Sequence, residues 1–147
     1  MRIEVSRIPT DGMTVSESLT PQALDLETEM IKFRGPVTVL ADISRITNAV
    51  TVDFTVQAKM YSRCSRCLEE FDMPFNKEFQ VSFPVDISEP SIDLDPEIRE
   101  EIILEYPIKP LCKAQCKGLC LRCGKNLNEK NCGCKVEKSG EGLKHLF

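Results

Sequence analysis

The sequence lacks long apolar runs and is poor in histidine. None of its apolar stretches approaches the roughly 18 consecutive residues that a membrane-spanning helix needs. The first residues, 1–5, alternate between polar and apolar side chains, so we expect no signal peptide and a reducing, cytoplasmic location. Glycine-rich phosphate loops and the H-E-x-x-H motif are also missing, and the single histidine is His145. These absences predict a protein that is not an enzyme, with no small-molecule substrate and no membrane partner.

The chain is instead rich in cysteine, with eight residues of this type. Six of them fall within 23 residues of the C-terminal third. In a reducing compartment, closely spaced cysteines bind metal ions more often than they form disulfides. Four thiolates suit a structural zinc ion, and an iron–sulfur cluster is the runner-up because it uses the same ligands. The predicted ligands are Cys64, Cys67, Cys112, Cys116, Cys120, Cys123, Cys132 and Cys134.

The spacing of the cysteines leaves the number of zinc ions open at one or two. Cys120-Leu121-Arg122-Cys123-Gly124 has the spacing of a zinc knuckle, in which the glycine permits a tight turn. One partition makes two four-thiolate sites and would fasten the tail to the rest of the chain. It groups Cys64, Cys67, Cys112 and Cys116 in one site, and Cys120, Cys123, Cys132 and Cys134 in the other. The alternative is one zinc ion in the tail, with Cys64 and Cys67 free.

Apolar residues at every second position predict strands in the first two thirds of the chain. These strands cover residues 2–7, 37–43, 50–60 and 71–85. Thr20-Pro21 predicts the start of a short helix, and Asp95-Pro96 predicts a second helix with Asp95 as its cap. The predicted fold is α+β, with a β-rich meander or small open barrel, one connecting helix and a C-terminal zinc-ribbon-like module.

Charge is divided unevenly along the chain. Residues 1–108 carry 10 basic and 20 acidic side chains, whereas residues 109–147 carry 9 basic and 3 acidic ones. We expect an acidic β-rich body (1–90), a linker and helix (91–110), a cysteine-rich zinc-binding module (111–135) and a flexible tail (136–147). Basic side chains around a small zinc module suit contact with RNA phosphates. The candidates are Lys113, Lys117, Arg122, Lys125 and Lys130.

Three segments of the sequence resemble the YceD family, whose bacterial members are named large ribosomal RNA subunit accumulation proteins. They are Cys64-Ser-Arg-Cys-Leu-Glu-Glu-Phe71, then Ile92-Asp-Leu-Asp-Pro96, then Pro110-Leu-Cys-Lys-Ala-Gln-Cys-Lys-Gly-Leu-Cys-Leu-Arg-Cys-Gly-Lys-Asn-Leu-Asn128. The resemblance implies a non-catalytic factor in ribosome biogenesis that binds ribosomal RNA or a ribosomal protein of the large subunit. Two other interpretations stay open: a zinc- or thiol-dependent enzyme with a redox dithiol at Cys64 and Cys67, and a pure protein-interaction module.

Overall fold

A computed structural model describes residues 1–134 of the chain, so His145 and the predicted tail (136–147) lie outside the described residues. The described part contains seven strands and one α-helix, with a single 3-10 turn at Val5–Arg7. The strands are β1 (Arg2–Glu4), β2 (Met13–Leu19), β3 (Ile31–Phe33), β4 (Val37–Ile46), β5 (Ala49–Arg63), β6 (Glu70–Pro84) and β7 (Ser91–Asp93). The helix is α1 (Asp95–Leu104). This architecture confirms the predicted β-rich fold with one helix.

Five strands form the main sheet, in the order β2-β4-β5-β3, with β6 also pairing with β5. β4 and β5 pair antiparallel, and Val39, Ala41 and Ile43 lie opposite Val56, Phe54 and Val52. All six of these side chains are almost completely buried. Because side chains alternate between the faces of a strand, the intervening Thr and Asp residues face solvent. The apolar residues at every second position of these two segments are therefore the ones that form the core of the sheet. β1 and β7 pair in a separate two-stranded sheet.

Helix α1 packs through Ile98 and Ile102, which are both buried, in keeping with their spacing of four residues. Leu94 precedes the helix as its cap, and Asp95, the predicted cap, is instead the first helical residue. Among the described residues, no helix is long and apolar enough to cross a membrane.

The helix predicted at Thr20-Pro21 is wrong, because this segment is a turn over residues 21–25. Thr20 does accept a hydrogen bond from the backbone N–H of Ala23, as a helix cap would. However, Asp25 has a φ of 49°, a left-handed conformation that prevents the helix from continuing. Leu24 and Leu26 are both buried on either side of it, so core packing decides the path of the chain.

The described chain divides into two compact units. Unit 1 comprises Met1–Ser62 and Phe71–Ile108, and unit 2 comprises Arg63–Glu70 together with the chain from Lys109 onward. Helix α1, which the sequence analysis assigned to a linker, lies in unit 1. The turn that contains Cys64 and Cys67 lies in unit 2, so all eight cysteines are in the same unit.

Candidate metal centres and basic side chains

The first cysteine cluster, which we name centre 1, consists of Cys64, Cys67, Cys112 and Cys116. Cys64 and Cys67 lie in the turn between β5 and β6. This turn is closed by hydrogen bonds from the Cys64 N–H to the Glu69 carbonyl (2.8 Å) and from the Leu68 N–H to the Cys64 carbonyl (3.0 Å). The Ser65 N–H donates to the carbonyl of Pro110 (2.8 Å), which holds the segment with Cys112 and Cys116 beside the turn.

The sulfur atoms of centre 1 have the spacing of ligands around one tetrahedral ion. All four Sγ atoms lie within 4.8 Å of one another. The Sγ atoms of Cys64 and Cys116 are 3.7 Å apart, as are those of Cys67 and Cys112. Zinc–sulfur bonds of about 2.3 Å place tetrahedral ligands about 3.8 Å apart. Cys64, Cys67 and Cys116 are buried, so the sulfurs converge in an interior position.

The second cluster, which we name centre 2, consists of Cys120, Cys123, Cys132 and Cys134, again with all Sγ atoms within 4.8 Å. Residues 119–126 form a small hairpin in which the Cys120 N–H donates to the Lys125 carbonyl (2.8 Å). The Gly124 N–H donates to the Cys120 carbonyl (2.9 Å), and Gly124 has a φ of 73° that favours glycine. The knuckle spacing therefore forms the tight turn for which the glycine is suited. Cys123 is exposed, so centre 2 is more open to solvent than centre 1.

Comparison with known proteins finds similarity to one protein family. The family model described as large ribosomal RNA subunit accumulation protein YceD matches residues 81–147, which contain six of the eight cysteines. A chloroplast protein of Arabidopsis thaliana, named large ribosomal RNA subunit accumulation protein YCED homolog 1, is 40% identical over 65 residues. The C-terminal part of the chain is therefore similar to the YceD family. The Zea mays protein of the same name is 36% identical over 81 residues.

The matches cover different shares of the relatives. The matches cover 44% of this chain and 20% of the Arabidopsis protein, and 54% of this chain and 27% of the maize protein. The uncharacterized protein YlbN of Bacillus subtilis is 26% identical over 124 residues, which cover 76% of this chain and 72% of YlbN. The chain therefore spans about a quarter or less of the plant YceD homologues but most of YlbN. No solved structure matches the chain.

The surroundings of the thiols give them different pKa values. Burial raises the pKa of Cys64, but N–H groups of Cys67, Cys112 and Arg66 that point at its sulfur outweigh burial and lower the pKa to about 6. N–H groups of Cys123 and Arg122 likewise lower the pKa of Cys120 to about 6. Each centre therefore has at least one sulfur prepared to be a thiolate, which is the form that binds metal.

Other thiols of the two centres have pKa values that their surroundings raise. Burial and the adjacent sulfurs raise the pKa of Cys112 to about 12. Hydrogen bonding with Cys132 and Cys123, together with burial, raises the pKa of Cys134 to about 12. A metal ion reverses this pattern because its charge stabilises all four thiolates together. The arrangement thus suits a cation better than four independent thiols.

Two residues that the sequence analysis did not single out support centre 1. The Arg66 guanidinium donates from Nη1 to the carbonyl of Cys116 (3.0 Å). The Asn128 amide donates from Nδ2 to the Cys116 sulfur (3.2 Å), and this bond lowers the pKa of Cys116. Both residues lie in the segments that resemble the YceD family, but no spacing rule for metal ligands marks an arginine or an asparagine as a supporting residue.

The five predicted RNA-binding side chains all lie in unit 2 and are exposed. None of the five forms an ion pair with a carboxylate in the part of the chain that the structure describes. They are Lys113, Lys117, Arg122, Lys125 and Lys130. Over residues 63–70 and 109–134, unit 2 carries 8 basic and 3 acidic side chains.

Proposed function

We propose that this chain is a non-catalytic factor that supports accumulation of large-subunit ribosomal RNA, with unit 2 folded around two zinc ions and binding RNA through its basic side chains. The names of the plant relatives support the role in ribosomal RNA accumulation. The observation that carries the RNA-binding part is the exposure of five basic side chains that have no described carboxylate partner. Such side chains are available to neutralise phosphates.

Zinc is the metal that the ligands favour. Within residues 1–134, each centre offers four cysteine sulfurs and no other ligand type, which is the composition of structural zinc sites. The short distances between sulfurs in centre 1 suit a single ion better than a multi-iron cluster, whose thiolates bind different iron atoms. Bound zinc would supply folding free energy. With four thiolates per ion, neither centre leaves a ligand position for substrate, so we assign no catalytic role to Cys64 and Cys67.

Zinc binding would change the net charge of unit 2. Unit 2 has a net side-chain charge of +5 over its described residues, before the thiols are counted. A zinc ion with four thiolates carries a formal charge of −2, so two loaded centres bring the unit close to neutral. RNA binding must then depend on the positions of individual side chains rather than on net charge. Five phosphate contacts would give a salt dependence with a logarithmic slope of about −3.5 to −4.5.

A charge-reversal experiment tests the proposal. We expect Lys113→Glu, Lys117→Glu, Arg122→Glu and Lys125→Glu in combination to weaken binding to a large-subunit ribosomal RNA transcript on the order of 100-fold and to flatten its salt dependence. Binding would be measured by fluorescence anisotropy at several salt concentrations. Elemental analysis should still find two zinc ions per chain, because none of the four residues is a proposed ligand.

The matched control reverses four exposed basic residues of unit 1, which are Arg2, Arg7, Arg45 and Lys59. This variant has the same change in net charge, so general repulsion of RNA would affect both variants equally. Equal affinity of the unit 2 variant and the unchanged protein would refute RNA binding through these side chains. Equal losses in both variants would show that net charge, and not a surface of unit 2, determines the affinity.

A second candidate partner follows from the charge of unit 1, which carries 8 basic and 18 acidic side chains. Such an excess of carboxylates suits a basic ribosomal protein of the large subunit. In this version the RNA accumulates because a ribosomal protein is delivered or protected. A pull-down with purified large-subunit ribosomal proteins distinguishes the two, since binding to unit 1 would survive charge reversal in unit 2.

A further inference from the structure

Asn128 connects the two cysteine clusters. In the sequence it lies between Cys123 and Cys132, inside the loop that joins the ligands of centre 2. Its side chain, however, contacts centre 1. Nδ2 donates to the Cys116 sulfur (3.2 Å), and Oδ1 accepts a hydrogen bond from the N–H of Lys117 (2.9 Å).

A local network fixes the position of Asn128. The Oδ1 atom of Asn126 accepts hydrogen bonds from both the backbone N–H (3.0 Å) and the side-chain Nδ2 (2.9 Å) of Asn128. The N–H of Leu127 donates to the carbonyl of Gly118 (2.9 Å). Asn126 also forms a β-bridge with Leu119, next to the ligand Cys120. The loop of centre 2 is thus held against the three residues that separate Cys116 from Cys120.

We infer that Asn128 is a positioning residue that couples the two centres, so that a metal ion bound at one centre raises the affinity of the other. This inference rests on the proposal that both centres bind zinc. Groups that donate hydrogen bonds to metal ligands orient them, and their loss typically lowers metal affinity by about 10- to 100-fold. Asn128 has this role for centre 1, but its own position depends on the loop of centre 2.

The coupling has a simple physical origin. Binding of an ion at centre 2 joins Cys120 and Cys123 to Cys132 and Cys134 and so restricts the intervening loop. The conformational entropy of placing Asn128 beside Cys116 is then already lost before centre 1 binds its ion. Coupling of binding free energies is reciprocal, so an ion at centre 1 must favour binding at centre 2 by the same factor.

The first experiment is a stepwise titration of the metal-free protein with Zn²⁺ in competition with a chromophoric chelator, repeated with Co²⁺ to observe thiolate coordination directly. We expect the unchanged protein to bind two ions cooperatively, so that the first ion raises the affinity for the second. Asn128→Ala should still bind two ions, but independently, and the affinity of centre 1 for its ion should fall by about 10- to 100-fold. Asn131→Ala is the matched control, because Asn131 is an exposed asparagine of the same loop that accepts a 3.5 Å hydrogen bond from the Gly133 N–H.

The second experiment is a double-mutant cycle between Asn128 and centre 2. Cys132→Ser removes a ligand of centre 2 and should weaken Co²⁺ binding at centre 1 when Asn128 is present. In the Asn128→Ala background the same change should have no further effect on centre 1. Asn128→Asp provides a second test if the alanine variant fails to fold, because it keeps the oxygen that accepts from Lys117 and loses the N–H that donates to sulfur.

The outcomes separate the inference from the proposal on which it rests. Cooperative binding that survives in Asn128→Ala or Asn128→Asp would overturn the coupling role of Asn128 and leave the zinc sites intact. Independent binding of two ions by the unchanged protein would overturn the coupling itself. Failure of the unchanged protein to bind Zn²⁺ or Co²⁺ would overturn both the zinc proposal and the inference.

Discussion

Unit 1 and unit 2 are stabilised by different chemistry. Every member of the buried apolar cluster in the described chain lies in unit 1. In unit 2 the buried side chains are chiefly the cysteines Cys64, Cys67, Cys116 and Cys120, whereas Leu121 and Leu68 are 91% and 55% exposed. The described part of unit 2 has only 34 residues, and chains below about 40 residues rarely bury enough apolar surface to fold without metal or disulfides. Two cysteine clusters thus take the place of an apolar core in the described part of unit 2.

The largest expected effect is the loss of unit 2 when metal is removed. A structural zinc site contributes about 10–16 kcal/mol of apparent binding free energy in small zinc-dependent peptides. The described part of unit 2 has no apolar core to replace this contribution. Chelation under reducing conditions should therefore expose the N–H groups of Cys64, Ser65 and Cys120 to hydrogen exchange. The N–H groups of β4 and β5 within unit 1 should stay protected, as followed by mass spectrometry.

The control for this experiment is the same chelator saturated with zinc, which should change nothing. The claim that only unit 2 depends on metal would be contradicted if chelation removed all metal and the unit 2 amides stayed protected. It would also fail if β4 and β5 lost protection to the same extent as unit 2.

The second test perturbs the core of unit 1 instead. Phe54 is 1% exposed, and its ring stacks on that of Phe79 with centroids 4.8 Å apart. Phe54→Ala should lower the free energy of unfolding of unit 1 by about 3–5 kcal/mol, measured by urea denaturation, because it leaves a cavity. Zinc content should remain two ions per chain.

Leu40→Ala is the matched control, since Leu40 is 37% exposed and projects from the solvent face of β4. Its effect on the free energy of unfolding should stay within about 0.5 kcal/mol. Loss of zinc in Phe54→Ala would show that the two units depend on each other for stability, which contradicts the comparison.

The sequence predicted the core of unit 1 because burial alternates strictly with position in β4 and β5. It did not predict β2 or the short strands β3 and β7. β3 and β7 have three residues each, too few for a period of two to be recognised. The pairing partners of these strands, such as β5 for β3, are set by tertiary contacts that a local pattern does not contain.

Unit 2 illustrates a different limit of sequence reasoning. The eight cysteines are evident from their spacing, but their division into two groups depends on which distant segments meet. One contact between the segments of centre 1 is a backbone hydrogen bond from Ser65 to Pro110, which involves no side chain and therefore leaves no trace in the sequence. The role of Asn128 was missed for a similar reason, because the residue supports a ligand of one centre from within the loop of the other.

The smallest effect that we predict concerns pH and applies to unit 2 alone. Zinc must displace protons from thiols, so its affinity falls as the pH is lowered. Cys112 and Cys134, whose pKa values are raised to about 12, release protons on binding at every pH near neutrality. Cys64 and Cys120, with pKa values lowered to about 6, are already thiolates above that pH and release a proton only below it.

The logarithm of the zinc affinity should therefore fall more steeply below about pH 6, by about one additional proton per centre, which is about tenfold per pH unit. Competition with a chelator of known affinity across this range measures the slope. In the metal-free protein, the ultraviolet absorbance of thiolates should show two thiols that titrate near pH 6, and Cys64→Ser and Cys120→Ser should each remove one. A constant slope through this range, with no absorbance step, would mean that the N–H groups directed at Cys64 and Cys120 do not prepare these sulfurs for metal. The unfolding of unit 1 should show no such change, because its buried core is apolar and contains no thiol.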